Sequence, residues 1–415
     1  MNIKKLHSLL NNKTLKQTFF LFTVQIFGML MGFASNIFLA KEMGTNNFGL
    51  YSFAVAVITF CAIFFEFGFF SSVSRLLAIN HDKKKEKEII GSSVIILGII
   101  FILFFFFILI LSCFIDLIFI DKIGNILYMI SVVAWCFAIP FYLELILKGS
   151  NNIEYLSLFN FLWKSLFALF LVVLYFWEKV IPLYTLHALS FACIFSFANI
   201  LIKIKPSFKN FKKNFLNIYQ EFKVFGCHIY TGRIASVATF QLDKLLIGYV
   251  VGVKDVGFYS LANAMVNPII FFSTSLSNSK YKDFSNSKSI SVNIIKINIS
   301  WILFAFFFTN FLGYVIIHYY LGKDYHDVLI LLFIMSLALS IKANYQPYMA
   351  WLNSNGYGPE IKVLCIKAGI VNILVMTILI NTLGTIGAAL ASLISVAYIH
   401  FSFYKLYNIK KQVFP

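Results

Sequence analysis

Eight charged side chains stand inside long apolar runs of this 415-residue chain: Lys164, Arg233, Lys244, Lys342 and Lys367, with Glu66, Glu144 and Asp243. Charges at such positions usually face a bundle interior or an aqueous hollow, because hydrocarbon solvates them poorly. Five cations against three anions leave a positive excess. The chemistry that suits it is the holding of a desolvated anion, which Arg grips with two parallel donors and Lys attracts as a point charge. Glu66, Asp243 and His187 (in TLHALSF) are the groups an ion-coupled cycle would use. Each residue also has a plainer role open to it. Lys164 and Lys367 can snorkel to the membrane surface. Asp243 and Lys244 can serve packing, as His187 can. Glu144 precedes Lys148 by one helical turn, the spacing of a modest surface pair. Arg233 has Gly232, Ala235 and Ser236 beside it, which permit close backbone approach. Lys342 lies in LALSIKANYQPYMA, the most polar of these runs, where Pro347 is placed to kink a helix. Tyr345, Tyr348 and Trp351 are the aromatics best placed to stack on sugar rings, although packing is the usual fate of such residues.

Other chemistry finds no support. The six cysteines (61, 113, 136, 193, 227 and 365) are scattered singly, with neither a CxxC pair nor a His cluster, so neither metal nor disulfide is expected. No GxxxxGK[ST] loop suggests ATP hydrolysis, and no cofactor is called for. A proton or sodium gradient is the expected energy source. No nucleophile or paired-carboxylate constellation marks an enzyme.

The elements that must position these charges are membrane helices. With 60% hydrophobic and 12% charged residues, the chain is too apolar for a soluble globule. Residues 89–114 (IIGSSVIILGIIFILFFFFILILSCF) carry no charge and exceed the length of one bilayer crossing, about 20 residues. Apolar runs and polar breaks predict twelve helices, at 17–40, 50–74, 89–114, 124–147, 155–177, 181–203, 224–250, 257–279, 294–317, 327–349, 361–381 and 384–406. The basic N-terminus leads into a run of spanning length, so the first run reads as a membrane helix and not a cleavable signal. With both termini cytoplasmic, 24 of the 34 Lys and Arg fall on inner segments and five on outer loops. The net charge of +17 is therefore mainly a topology signal, and nucleic acid is not an expected partner. Between the halves, Phe208, Phe211, Phe215, Tyr219 and Phe222 recur at three or four residues among Lys209, Lys212 and Lys213. This describes an interfacial helix or a plain linker. The expected organisation is a six-helix lobe over 1–203, a linker over 204–223 and a second six-helix lobe over 224–415.

One short turn is written twice. GTNNFGLYSFA at 44–54 matches GVKDVGFYSLA at 252–262 at a constant offset of 208, half the chain length. Gly44 and Gly49 correspond to Gly252 and Gly257. The copies join helices 1–2 and 7–8, an even number of crossings apart, so the halves insert in the same sense as a parallel repeat. KEMGTNNFGLYSFA, followed by EFGFFSSVSRLLA at 66–78, resembles the opening of Wzx-type O-antigen translocases. These are polysaccharide-exporting flippases of the multidrug/oligosaccharidyl-lipid/polysaccharide exporter superfamily. QLDKLLIGYVVGVKDVGFYSLANAMVNPI at 241–269 looks like the second-lobe counterpart, while Lys41 stands where an Arg is expected. The resemblance implies two six-helix bundles around a cationic path with alternating access in the bacterial cytoplasmic membrane. It also implies a substrate: a repeat unit on undecaprenyl pyrophosphate, moved from the cytoplasmic to the periplasmic leaflet alongside other polysaccharide assembly proteins. Two rivals remain in view. A membrane-embedded polymerase or ligase would carry a large outer loop with Arg or His, and a drug or sodium antiporter of the same superfamily would favour an anionic cavity.

Overall fold

Every regular element among the described residues is a helix, as lipid requires of a chain whose backbone polar groups must satisfy one another. The computed structural model describes the backbone of residues 13–80, 82–119, 121–285 and 287–413. It describes their side chains apart from 13–23, 25, 228, 229, 231–233, 235–241, 282 and 413. In chain order the helices are α1 (13–43), α2 (45–64), α3 (Phe69–Ile79), α4 (Lys83–Ile118), α5 (Gly124–Gly149) and α6 (Ile153–Phe176). There follow α7 (Pro182–Ile204), α8 (Phe211–Glu221), α9 (Cys227–Val250), α10 (Val253–Val266) and α11 (Pro268–Ser279). The last four are α12 (Val292–Leu321), α13 (Val328–Ser354), α14 (358–383) and α15 (385–413).

Two junctions are single glycines. Gly44 (φ 69°) separates α1 from α2, and Gly384 (φ 58°) separates α14 from α15. Only a residue without a Cβ adopts these angles cheaply, so the chain turns there without a loop. Among the described residues eight helices are long and apolar enough to cross a membrane, or nine with α10 and α11 taken as one span bent by 45°. Counted by length alone, with the breaks at Gly44 and Gly384 and with α9 included, they number the twelve that the apolar runs predict. The second crossing departs from expectation. It was expected to run unbroken over 50–74, but α2 stops at Phe64 and a turn at 65–68 leads into α3. Phe67 (φ 48°) and Gly68 (φ 75°) take left-handed conformations that no helix continues through.

By internal contacts the chain divides into two compact units. Unit 1 holds the described part of Met1–Leu39 with Ile58–Ile115 and Ile123–Thr231; unit 2 holds Ala40–Val57, Asp116–Lys122 and Gly232–Pro415.

In unit 1, α3 packs against the second half of α5 and against α8, while α6 pairs with α7. Phe70, Tyr142, Leu143, Ile146 and Phe159 fill the core, and a Ser93–Tyr142 hydroxyl contact of 2.8 Å satisfies the buried phenol. The segment before α9 forms the helix that its aromatic spacing predicts. Phe215, Tyr219 and Phe222 stack in sequence along one face, and Phe222 stacks on Phe69 at 4.9 Å. Lys209, Lys212 and Lys213 stay exposed.

In unit 2, α13 is the hub, touching α10, α11, α12 and the α14–α15 pair. One end of α13 is an aromatic knot. Trp351 is fully buried against Tyr407 and Tyr357 and donates its indole N–H to the Ser287 carbonyl at 3.0 Å. Tyr345 and Tyr348 are buried in the same cluster. The expectation that these three stack on sugar is thereby corrected: Tyr345 packs on Phe403, Tyr348 on Tyr404 and Tyr407, and Trp351 on Tyr357 and Tyr407.

The duplicated turns also lie together in unit 2. A Cβ on Gly49 would sit 2.3 Å from the Val253 carbonyl oxygen, and one on Gly257 would sit 2.9 Å from the Gly49 Cα. The second glycine of each copy is thus the point where backbone meets backbone. The Asp121 carboxylate accepts the Val253 N–H at 2.7 Å, capping the start of α10.

Candidate functional site

A polar hollow of unit 2 lies around Asp243, lined from α9, α10, α11, α13, α14 and α15. Asp243 and Lys244 come from α9. Tyr259 and Asn263 stand one turn apart on α10, and Asn267 follows at the bend before Pro268. Met335, Leu339 and Lys342 recur at helical spacing on α13, Asn372 enters from α14, and Ser392 with Ser395 enters from α15. These side chains line a cavity of about 290 Å³.

Asp243 is 6% exposed and accepts three hydrogen bonds. Tyr259 Oη–H donates to Oδ2 at 2.9 Å, Ser392 Oγ–H donates to Oδ2 at 3.0 Å, and Asn372 Nδ2–H donates to Oδ1 at 3.2 Å. Ser392 and Tyr259 are themselves 3.4 Å apart. Both Lys244 and Lys342 interact electrostatically with the carboxylate. Two ammonium groups and one carboxylate leave the hollow formally positive. That disposition suits a compact anion and opposes a free cation, which would meet two like charges in a weakly screened place.

The other charges predicted at membrane depth have separate fates. Lys164, half-buried on α6, lays its stem along the glycine face of α1: a Cβ on Gly28 would stand 3.6 Å from its Cδ, and one on Gly32 3.9 Å. Its ammonium lies 5.8 Å from the Trp163 ring centre. Lys367 occupies an exposed face of α14, so the cavity role expected for it gives way to a surface one. The side chain of Arg233 lies outside the described residues. Glu66 is buried in the turn after α2 and accepts the Ser71 hydroxyl at 2.9 Å. His187 is half-buried on α7, with Nδ1 2.9 Å from the Leu183 carbonyl and its ring beside Phe191. Glu144 and Lys148 form the expected pair, at 2.7 Å on an exposed surface. Lys41 is exposed and sits over the Tyr320 ring.

The charged members of the hollow were visible as charges, whereas Tyr259, Asn372 and Ser392 were not singled out as a site. Tyr259 stands in the duplicated turn as one of its matching residues. With Asn263 and Asn267 it makes a polar stripe of period four, a signal available in LANAMVNPI. Asn372 and Ser392 are isolated polar residues in apolar helices and carry no comparable mark.

The all-helical, multi-pass architecture is shared with solved structures of membrane proteins. An inward-facing multidrug resistance MATE family transporter of the MOP superfamily aligns with a TM-score of 0.69 at 14% identity, covering 93% of this chain and 95% of that one. Lipid II flippase MurJ in an inward closed conformation aligns at 0.70 and 16% identity, covering 92% and 87%. A MOP superfamily transporter from Pyrococcus furiosus, described as having a binding pocket of reverse polarity, aligns at 0.59 and 13%, covering 94% and 95%. No curated protein matches the chain. The polysaccharide biosynthesis protein family matches residues 14–278, a stretch that contains both copies of the turn, and the chain belongs to that family. A polysaccharide biosynthesis family and a fold shared with MATE and MurJ structures are what the resemblance noted in the sequence implies.

Proposed function

We propose that the chain carries a lipid-linked oligosaccharide across the bacterial cytoplasmic membrane by alternating access. The pyrophosphate that joins sugar to lipid would be its anionic handle. The observation that carries this reading is the positively biased hollow of unit 2, where Lys244 and Lys342 outnumber the single Asp243 carboxylate. A pyrophosphate diester bears about two negative charges. Desolvating it on the way across requires fixed counter-charges, since an unpaired ion in a low-dielectric place is strongly disfavoured. At about 290 Å³ the hollow takes a compact head group and leaves the sugar outside. The substrate in this reading is an undecaprenyl-pyrophosphate-linked repeat unit of O-antigen or another surface polysaccharide. Both termini lie in the cytoplasm, and an ion gradient drives the cycle.

Deleting the gene in its native background should make single lipid-linked repeat units accumulate facing the cytoplasm, and the wild-type chain should clear them. Lys342→Ala should fail to clear them while still reaching the membrane. Delivery of single units to the cell surface by the deletion strain would mark a polymerase instead and end the flippase reading.

A further inference from the structure

The three groups that bond Asp243 share one property: each can reverse its role. Tyr259 and Ser392 hydroxyls donate or accept, and an amide such as Asn372 does either according to which way it is turned. As the network stands all three donate to the carboxylate, which leaves the buried Oδ1 of Asn372 without a hydrogen-bond partner. A buried amide oxygen in that position costs free energy until a donor reaches it. A protonated Asp243 would be that donor, because with the amide turned over Asn372 accepts the carboxyl proton. The hollow therefore has one hydrogen-bonding scheme for an ionised aspartate and another for a neutral one.

What would drive the change is also lodged there. Lys342, on α13, interacts with Asp243 across the hollow, and Lys244 does so from the same helix as the aspartate. An anion entering the hollow must compete with Asp243 for these ammonium groups. Leaving the carboxylate ionised would then place two like charges in one poorly screened site, a cost that a proton removes.

We propose that anion binding in this hollow is linked to protonation of Asp243: the incoming phosphate group takes over Lys342, and the carboxylate released from it takes up one proton through cavity water. One O–H bond forms on Asp243 as one bond to hydrogen breaks on the buffer acid, with cavity water only relaying the proton; nothing covalent breaks in the anion, and the tethered ammonium fills the place of a metal counter-ion. The charged and titratable groups facing Asp243 are Lys244 from its own helix, Tyr259 from α10 and Lys342 from α13; Asn372 and Ser392 complete the surround from α14 and α15. The inference rests on the head-group reading above and adds its coupling to pH.

The test is titration calorimetry on the full chain in detergent, with symmetric dimethyl pyrophosphate as probe, a diester with no proton to exchange near neutral pH. Repeating it in buffers of different ionisation enthalpy counts the protons taken up. Wild type should take up about one proton per anion, so affinity falls as pH rises, by about tenfold per unit where linkage is complete. Asp243→Asn should bind with little pH dependence and no proton uptake. Lys342→Gln should bind at least about tenfold more weakly at every pH. Replacing sodium by choline should change nothing. Binding without proton uptake in wild type, uptake that persists in Asp243→Asn, or binding that requires sodium would each overturn the linkage while leaving the head-group reading intact. An absence of binding to wild type would overturn both. The wild-type proton count decides the matter even where a variant fails to fold.

Discussion

The two copies of the duplicated turn share their glycines and differ in the charge around them. At the offset of 208, Asp243, Lys244 and Tyr259 correspond to Ser35, Asn36 and Tyr51. Both tyrosines are buried, and both turns begin at a glycine with positive φ. Around the second copy, however, a carboxylate gathers three donors and two ammonium groups, whereas in the first Ser35 stands where the carboxylate would be, Asn36 spends its amide on the Gly32 carbonyl at 2.8 Å, and Lys164 stands where the second has Asn372. Duplication thus preserved what the turn needs sterically and left the carboxylate to the second copy. Backbone geometry constrains both halves of such a chain, while charge at membrane depth is costly and is confined to bundle interiors and water-lined hollows.

The comparison breaks most sharply on Asp243. Asp243→Ala removes the carboxylate that both Lys244 and Lys342 interact with and leaves two ammonium groups in the hollow without it, a change of the kind that costs about 3–5 kcal/mol. It should lower the melting temperature in detergent and abolish clearance of lipid-linked units. Ser35→Ala, at the corresponding position of the first copy, should stay within about 1 kcal/mol of wild type and export normally. Equal damage from the two substitutions would show that the charge asymmetry has no consequence.

The steric half of the comparison was readable in advance and much of the site was not. Apolar run length fixes the crossings, because each must traverse the same hydrocarbon thickness, and the duplicated glycines marked turns that do turn. The end of α2 at Phe64 was hidden, since FFEFGFF remains apolar through the break and hydropathy does not register a left-handed Gly68. Asp243, Lys244 and Lys342 stood out because charge is rare in a membrane helix. Their neutral partners did not, because a lone Asn or Ser in such a helix commonly satisfies itself on its own backbone, as Ser196 does on the Ala192 carbonyl. Only tertiary packing distinguishes Asn372 from those. Lys367 and Lys342 are likewise indistinguishable by type, and helical phase sends one to the surface and the other to the cavity.

A middle-sized effect comes from within the turn itself. Gly44 and Gly49 differ in what constrains them: a methyl at Gly44 meets nothing within 4 Å and is opposed only by φ 69°, while a methyl at Gly49 would lie 2.3 Å from the Val253 carbonyl oxygen. Gly44→Ala should cost about 1–2 kcal/mol through backbone strain. Gly49→Ala should cost more, about 1–3 kcal/mol of overpacking with no flexible side chain to yield, and Gly49→Val more again. Thermal melts of the variants in detergent rank them. Gly44→Ala proving the worse would mean that turn angle, and not the approach of the two copies, is what the duplication preserves.

The smallest effect isolates a feature that only the second copy shows. Asp121, far away in sequence, accepts the Val253 N–H at 2.7 Å and so caps α10, satisfying a donor that the first turn of a helix otherwise leaves open. Asp121→Ala should cost about 1 kcal/mol, the usual worth of such a cap. Because the cap holds one helix start, the loss should be local: amide hydrogen exchange over the first turn of α10 should quicken by about fivefold, as 1 kcal/mol of opening free energy requires. Exchange over the first turn of α2 should not change. Quickening at both turns would show that the contact between Gly49 and Gly257 makes the two copies open together, and the cap would then belong to the pair and not to the second copy alone.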